Sequence, residues 1–217
     1  MNNTMGNSKK IILDLCGGTE AWSAPYKEQG YDVRLITLPD YDVSAVRFGK
    51  NDIIFYGQTD TSLVENRIAY KDIYGILAAP PCTMFSLART TAKTPRDLDK
   101  GLELVRACLE IIWQVKPQFW AMENPKGLLR KFMGKPAFSF DASEFGEDYN
   151  KHTDLWGYFK EPRIEREYRR FSSTDKNTRK LPAIPEDYVR DANMSTVAIK
   201  RSITPRGFAE AFFKANQ

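Results

Sequence analysis

Two short loops of this chain carry the residues whose types are best suited to chemistry. Cys82 follows Pro80 and Pro81, and the two prolines stiffen the loop that holds its thiol. Glu123 opens the second loop and is followed by Asn124 and a proline. A cysteine thiolate can add to an electron-poor carbon, and a protonated glutamate can donate a proton as negative charge develops. Taken alone, each has a plainer interpretation, because a lone cysteine is more often a buried hydrophobe and a lone glutamate a surface carboxylate.

Three apolar segments precede polar loops and are predicted to be buried strands. They are Lys10–Leu15, Tyr74–Ala79 and Phe119–Met122, which end in Cys16-Gly17-Gly18, Pro80-Pro81-Cys82 and Glu123-Asn124-Pro125. The carboxyl edge of an open α/β sheet is where ligands bind. We therefore expect the three loops to meet in one site.

The remaining pattern predicts how these strands are connected. A helix from about Ala21 to Gln29, closed by Gly30, leads into a strand over Tyr31–Leu38 that Pro39 stops. This strand, helix, strand order indicates a parallel sheet with a right-handed crossover. Apolar residues at helical spacing predict a helix over Asp97–Val115 and a last amphipathic helix at about Pro205–Ala215. Extra strands are expected at Asp52–Tyr56 and Ala69–Tyr74.

Several single residues can be assigned a place from these elements. Cys108, on the apolar face of a helix, is predicted to lie in the core together with Trp113 and Trp120. Trp156 is expected to pack beneath the loop over residues 151–153. His152 is a tempting general base, but a histidine in a polar loop is more often a surface or hydrogen-bonding residue.

Bulk properties predict one soluble globular domain. With 217 residues, 42% hydrophobic and 28% charged, the chain can build a full core. The three cysteines have no zinc-ligand spacing, so no metal is expected, and free thiols fit a reducing compartment. No apolar run approaches the ~18 residues of a membrane helix, and no secretory leader is recognised, so we expect a cytoplasmic protein without a membrane partner. Net charge is only +4, but residues 160–180 concentrate basic side chains that could neutralise phosphates; a solvated loop is the plainer alternative.

The order of four motifs resembles the cytosine-5 DNA methyltransferase family. The motifs are Asp14-Leu15-Cys16-Gly17-Gly18, then Pro81, Cys82, Phe85 and Ser86, then Glu123-Asn124-Pro125, and finally Arg201-Ser202-Ile203-Thr204-Pro205. The resemblance implies an α/β, single-domain S-adenosylmethionine-dependent methyltransferase fold with a mostly parallel, doubly wound sheet. On this basis the core covers about residues 9–159 plus a C-terminal helix at 201–217, and residues 160–200 form a reduced, basic recognition segment. The chain looks like the compact, phage-type members, which implies the cytoplasm of a bacterium or of a phage-infected host.

The resemblance also implies a reaction. Cys82 adds to carbon 6 of cytosine, so that carbon 5 can accept a methyl group from S-adenosyl-L-methionine, while Glu123 contacts N3 and the amino group of the base. The target is cytosine in DNA, either single-stranded or flipped out of the helix, because the thiol cannot reach carbon 6 inside the stack. The alternatives are cytosine methylation of RNA or of a free nucleotide, and a catalytically silent nucleic-acid-binding homologue.

Individual site residues follow from the same resemblance. The catalytic set is Cys82, Glu123, Asn124, Lys151 and Thr153, of which the last two stand where the family has arginines that hold the cytosine. The cofactor set is Asp14, Cys16, Gly17, Gly18, Thr19, Thr37, Asp40, Asp42, Pro80 and Ser202. Within it, Asp40 is assigned to the ribose and Asp42 to the adenine amino group, with Asp60 as a rival. Cys16 stands where the family has a phenylalanine against the adenine, so Trp22 or the turn over residues 39–42 is expected to replace that contact.

Overall fold

A six-stranded sheet forms the centre of the computed structural model, which describes residues 7, 9–58, 62–87, 94–171, 181–186, 188 and 196–217. Its spatial order is β2-β1-β6-β7-β9-β8. The strands are β1 (Ile11–Leu15), β2 (Asp32–Ile36), β6 (Ile73–Ala78), β7 (Phe119–Pro125), β8 (Phe138–Asp141) and β9 (His152–Tyr158). The pairs among β2, β1, β6 and β7 are parallel, whereas β9 is antiparallel to both β7 and β8. The predicted mostly parallel sheet is confirmed.

Helices cover both faces of this sheet, as the doubly wound prediction requires. On one face lies α2 (Leu98–Val115), which begins at its N-cap Asp97 and ends at Lys116 in a left-handed conformation. On the other face α1 (Ala24–Glu28) packs near α5 (Arg206–Ala215). Two further α-helices, α3 (Arg130–Met133) and α4 (Thr196–Ser202), are shorter than α2 and α5.

Two apolar cores hold the helices to the sheet. Beneath α2, buried Val105 and Cys108 pack with Leu13 and Met122 of the strands, so the core assignment of Cys108 is confirmed. Beneath α1 and α5 the core is aromatic, and Phe208 stacks on Phe140 with ring centroids 4.0 Å apart. Complete burial of such a side chain stabilises a fold by roughly 1.5 to 3 kcal/mol. Packing in these two cores fixes the position of each strand in the sheet, and with it the position of the loop that follows the strand.

A second, antiparallel sheet of three strands stands between β2 and β6 in the chain. It consists of β3 (Tyr41–Phe48), β4 (Asp52–Gln58) and β5 (Leu63–Ala69), with β4 in the middle. Its β3 strand packs against α2. The predicted strand at Asp52–Tyr56 is confirmed by β4, whose Ile53, Ile54 and Phe55 are fully buried. A strand over Ala69–Tyr74 is wrong, because β5 ends at Ala69, a 3-10 turn occupies Tyr70–Asp72, and β6 begins at Ile73.

Two further expectations need correction. Trp113 is 74% exposed and does not belong to the core. At 100° per residue it points away from the stripe on which Val105, Cys108 and Ile112 are buried. The first helix begins at Ala24 rather than Ala21, because the chain turns through residues 21–23 before α1. No helix in the described part of the chain combines the length and apolar character needed to span a bilayer.

Candidate active site

The ends of β1, β2, β6 and β7 meet along one edge of the main sheet, as expected for parallel strands. The backbone hydrogen bonds between neighbouring strands continue beyond the carboxyl ends of the strands. Ala79 donates its backbone N–H to the carbonyl of Leu15 at 2.9 Å, and Cys16 donates to the carbonyl of Ile36 at 2.9 Å. The structure therefore brings the Cys16, Cys82 and Glu123 loops to the same edge.

The loop that carries Cys82 is held by contacts on two sides. Arg96, just before α2, donates to the carbonyls of Met84 and Ser86, both at 2.8 Å. On the other side, Leu128 donates its N–H to the carbonyl of Phe85 at 2.9 Å. These bonds fix the backbone that follows Cys82.

Gly127 allows the two loops to approach this closely. A side chain at position 127 would place its Cβ 2.4 Å from the carbonyl oxygen of Phe85, closer than real Cβ contacts come. Asn124 adds a second tie, since its amide donates to the carbonyl of Pro80 at 2.9 Å. The structure thus places Asn124 and Pro80 in direct contact, immediately beside Cys82 and Glu123.

Glu123 and Lys151 form an ion pair inside the site. Glu123 is only 7% exposed, and Lys151 Nζ lies 3.3 Å from its Oε1. Lys151 Nζ also donates to the carbonyl of Ile203 at 3.3 Å. Among the described residues, Oε1 of Glu123 accepts no hydrogen bond, so the ion pair leaves hydrogen-bonding capacity at the carboxyl group.

The charges of Glu123 and Lys151 both affect the pKa of the Cys82 thiol. Burial raises the pKa of Cys82 above its ordinary value of 9.0, and the negative charge of Glu123 raises it further. The positive charge of Lys151 acts in the opposite direction and lowers it. Thiol, carboxyl and ammonium groups therefore lie within electrostatic reach of one another.

Thr153 completes the predicted catalytic set. It is buried, and β-sheet pairing places it opposite Pro125 at the end of β7. Its hydroxyl donates to the carbonyl of Lys151 at 3.4 Å. No strand is predicted from the sequence over β9, which begins at His152, directly after Lys151, and contains Thr153. Its pairing with β7 brings both residues to the Glu123 loop.

Asp14 at the end of β1 is fully buried, and burial is the largest cause that raises its pKa from 3.8 to about 7. Ser23 donates a hydrogen bond to one carboxylate oxygen, whereas the other, Oδ1, has no partner among the described residues. The carboxyl group packs tightly against the next turn, where a Cβ on Gly17 would come within 1.9 Å of Oδ1. An orphaned carboxylate oxygen at a sheet edge is suited to a polar ligand.

The turn after β1 has an unusual backbone. Cys16 and Gly18 adopt φ values of 59° and 50°, in the left-handed region, and Thr19 donates its N–H to the carbonyl of Gly17. Gly18 is exposed, and the space that a Cβ would enter there is bordered only by the ring of Tyr188, 3.9 Å away among the described atoms. A hydrogen bond with Cys16, together with burial, raises the pKa of Cys108.

The end of β2 supplies the neighbouring turn, with a cis peptide bond between Leu38 and Pro39. Thr37 accepts a hydrogen bond from the N–H of Tyr41 at 2.8 Å, and Asp40 is exposed. Asp42 is engaged locally, because its carboxylate accepts from the N–H and the hydroxyl of Ser44 at 2.8 and 2.6 Å. The rival Asp60 lies outside the described residues.

Trp22 and Ser202, both expected at the cofactor site, make contacts elsewhere in the structure. Trp22 is buried between Phe208 and Phe212, with ring centroids 5.9 and 5.4 Å away, so it is a core residue and does not replace the aromatic contact beside Cys16. Ser202, at the end of α4, donates its hydroxyl to the carbonyl of Ile199 within its own helix at 2.7 Å. The segment after it reaches the site through its backbone, at the carbonyl of Ile203.

The segment at 160–171 lies across the loop before β9. Glu165 and Arg166 donate their backbone N–H groups to the carbonyl of Glu144, at 3.2 and 3.0 Å. The basic side chains here are exposed, namely Arg163, Arg166, Arg169 and Arg170. Lys176, Arg179 and Lys180 of the predicted basic segment lie outside the described residues.

Sequence reasoning missed three contributors to the site. The side chain of Arg96 donates to a backbone carbonyl of the Cys82 loop, and the backbone carbonyl of Ile203 accepts from Lys151. The ring of Tyr188, which is distant in the chain, borders Gly18. No motif marked Arg96 or Tyr188. The signal that could have indicated the Ile203 contact is the position of Ile203 in the last motif, next to Ser202.

Comparison with known proteins agrees with this arrangement. The family model for C-5 cytosine-specific DNA methylase matches residues 11–157. The chain is also similar to a probable DNA (cytosine-5)-methyltransferase of Frog virus 3 (isolate Goorha), with 27% identity over 159 residues, 67% of this chain and 69% of that relative. The match spans the three strand-end loops and both strands of the Glu123–Lys151 site. This chain belongs to the C-5 cytosine-specific DNA methylase family.

Proposed function

We propose that this DNA (cytosine-5)-methyltransferase uses S-adenosyl-L-methionine as its methyl donor and forms a covalent adduct between Cys82 and carbon 6 of the target cytosine. The observation that carries the proposal is the position of Cys82 beside the buried pair of Glu123 and Lys151, whose Oε1 and Nζ lie 3.3 Å apart, with Asn124 bonded to the carbonyl of Pro80. A nucleophile, an acid and a cation at one sheet edge are what addition to a cytosine ring needs.

The steps at the base follow from these groups. Once the Cys82 thiol has lost its proton to solvent, Sγ bonds to carbon 6 and the carbon 5–carbon 6 double bond opens. Electron density moves to N3, where a protonated Glu123 donates its proton, and carbon 5 becomes nucleophilic. When bound, S-adenosyl-L-methionine supplies the methyl group that carbon 5 accepts. Loss of the carbon 5 proton to water then restores the double bond as Sγ leaves carbon 6, and the N3 proton returns to Glu123.

The other residues position these groups. Lys151 holds the Glu123 carboxyl at 3.3 Å and favours the thiolate of Cys82. Asn124 keeps the Cys82 and Glu123 loops together through its bond to Pro80. Thr153, buried next to Pro125, offers a hydroxyl for the edge of the base.

The methyl donor is proposed to lie against the turns after β1 and β2. Asp14, with its unpartnered Oδ1, and the open left-handed turn at Cys16–Gly18 support this placement. Thr19, Thr37, Asp40 and Asp42 border the same part of the edge, and Ser202 precedes the Ile203 carbonyl that contacts Lys151. The target cytosine enters from single-stranded or locally opened DNA, because the thiol requires access to the face of the ring.

A trapping experiment tests the covalent step. In an oligonucleotide with 5-fluorocytosine as its target, carbon 5 carries no removable proton, so the bond between Cys82 and carbon 6 cannot break after methyl transfer. We expect an adduct with wild-type protein and S-adenosyl-L-methionine, located at Cys82 by mass spectrometry. Cys82→Ser should form none, because its hydroxyl has a far higher pKa than a thiol.

Cys108→Ala serves as the matched control, since it removes a thiol from the core and should still allow the adduct. Methylation of ordinary cytosine without a trapped adduct contradicts the covalent assignment. Parallel assays with single-stranded DNA, duplex DNA, RNA and dCMP test the substrate. A preference for RNA or dCMP contradicts the DNA assignment.

A further inference from the structure

The rings of His152 and Tyr168 form an exposed stacked pair beside the active site. Their centroids are 5.9 Å apart and their planes differ by 27°. Tyr168 is 50% exposed, and the side chain of His152 is 56% exposed. The prediction that His152 is a surface residue is confirmed, and its stacking on Tyr168 gives this surface a flat aromatic face.

This pair, here called the Tyr168 platform, is held by a close polar contact on the His152 side and by hydrogen bonds on the Tyr168 side. His152 Nδ1 lies 3.2 Å from the carboxylate of the buried Asp141. On the other side, Arg169 donates its N–H to the hydroxyl of Ser143 at 3.2 Å, and the amide of Asn150 donates to the carbonyl of Arg169 at 2.8 Å. Because the rings are already ordered, a ligand that stacks on them loses little conformational entropy.

The platform lies next to the loop that carries Glu123. Lys126 donates its backbone N–H to the carbonyl of His152 at 3.0 Å, which continues the β7–β9 ladder past Pro125. Three residues of extended strand place Lys126 about 10 Å from Glu123. A groove of about 270 Å³ opens here and is lined by Lys126, His152 and Tyr168 among others.

Lys126 offers a positive charge to a ligand in this groove, whose lining also contains three carboxylates. Asp154 pairs with Arg130, Asp141 accepts from Ser143 through Oδ1, and Glu144 accepts from the N–H of Asp141. Oδ2 of Asp141 accepts no hydrogen bond among the described residues. Lys126 is exposed and forms no ion pair with a described residue. Positive charge beside an exposed aromatic face is the combination that binds single-stranded nucleic acid.

We propose that the Tyr168 platform stacks the base of a nucleotide that flanks the target cytosine, while Lys126 contacts the adjoining phosphate. The assignment rests on the proposed function, because it requires the cytosine to lie against Glu123. Stacking on an aromatic ring tolerates any base, so the platform contributes affinity for an unstacked strand without selecting a sequence.

The test is a binding titration of the full chain, without methyl donor, against a single-stranded oligonucleotide that contains one cytosine. Tyr168→Ala should weaken binding by about 5-fold to 150-fold, the loss that corresponds to one stacked base. Tyr168→Phe keeps the ring and should retain the wild-type affinity. Tyr158→Ala is the matched control, because Tyr158 is 74% exposed at the opposite end of β9.

A scan of the oligonucleotide then locates the contact. An abasic site at one position next to the cytosine should weaken binding to wild-type protein and remove the difference between wild type and Tyr168→Ala. The scan with wild-type protein also serves if Tyr168→Ala fails to fold. The platform is overturned if no single flanking position matters to the wild type, or if the effect of Tyr168→Ala persists with every abasic oligonucleotide.

Methylation of the same oligonucleotide by the wild type separates this proposal from the proposed function. Methylation combined with wild-type affinity of Tyr168→Ala overturns the platform alone. Position-specific stacking without any methylation supports the platform and contradicts the assigned reaction.

Discussion

The buried carboxyl group of Asp14 makes the stability of this protein depend on pH in a direction that can be measured. Its pKa is raised to about 7, mainly by burial, whereas an exposed aspartate has a value of 3.8. The folded state therefore binds this proton more tightly than the unfolded state. The resulting stabilisation is complete below pH 3.8 and is lost as the pH rises through 7.

Asp14→Asn removes the titration while keeping the shape of the side chain and an acceptor for Ser23. One pKa unit corresponds to about 1.4 kcal/mol, so the two pKa values imply that the wild type loses about 2.5 kcal/mol relative to Asp14→Asn between pH 5 and pH 8. Titrations elsewhere in the chain are common to both proteins and cancel in this comparison.

Urea unfolding of both proteins at intervals from pH 5 to pH 8 measures the difference. We expect the free energy of unfolding of the wild type to fall relative to Asp14→Asn as the pH rises. Asp40→Asn, which removes an exposed carboxyl group at the same sheet edge, controls for the loss of one negative charge. Parallel curves for wild type and Asp14→Asn would refute the burial argument, and a gap that narrows with rising pH would show that its sign is wrong.

Three further outcomes are expected. Gly127→Ala should destabilise the protein by about 1 to 3 kcal/mol, because its Cβ meets a backbone oxygen of the Cys82 loop at 2.4 Å. Urea unfolding measures this loss, and single-turnover methylation should show a lower rate constant for methyl transfer. Replacing Arg169 and Arg170 by Gln should reduce the salt dependence of duplex DNA affinity by roughly one unit of slope per lost phosphate contact; an unchanged slope indicates a solvated loop. Glu123→Gln should speed alkylation of Cys82 by iodoacetamide at pH 8, followed by mass spectrometry, since it removes a charge that raises the pKa of Cys82; slower alkylation contradicts that assignment.

The strands β1, β6 and β7 and their loops could be predicted because each of these strands is largely apolar on both faces and stops at a distinctive turn. Ile12 and Leu13 of β1, or Ile76 and Leu77 of β6, are all fully buried and form continuous apolar runs. The catalytic loops directly follow such strands. Their convergence therefore followed from sheet topology.

The second sheet could not be predicted with the same clarity. In β5, only Ile68 is buried, and charged residues such as Glu65 and Arg67 interrupt any apolar pattern. The pairing of β5 with β4 is what makes it a strand. The contact between Lys151 and the Ile203 carbonyl is equally hidden, because it joins residues 52 positions apart through a backbone group that any residue could supply.

The electrostatics of the site link the state of the nucleophile to the presence of the base. Without substrate, burial and the charge of Glu123 both raise the pKa of Cys82, so the thiol is held in its protonated, less reactive form. In the proposed mechanism Glu123 carries a proton when cytosine N3 lies against it, and its charge then no longer opposes the thiolate. The positive charge of Lys151 remains and continues to lower the pKa of Cys82. In this mechanism the arrival of the base removes one obstacle to forming the thiolate, so we expect Cys82 to be more reactive in the complex in which carbon 6 is within reach.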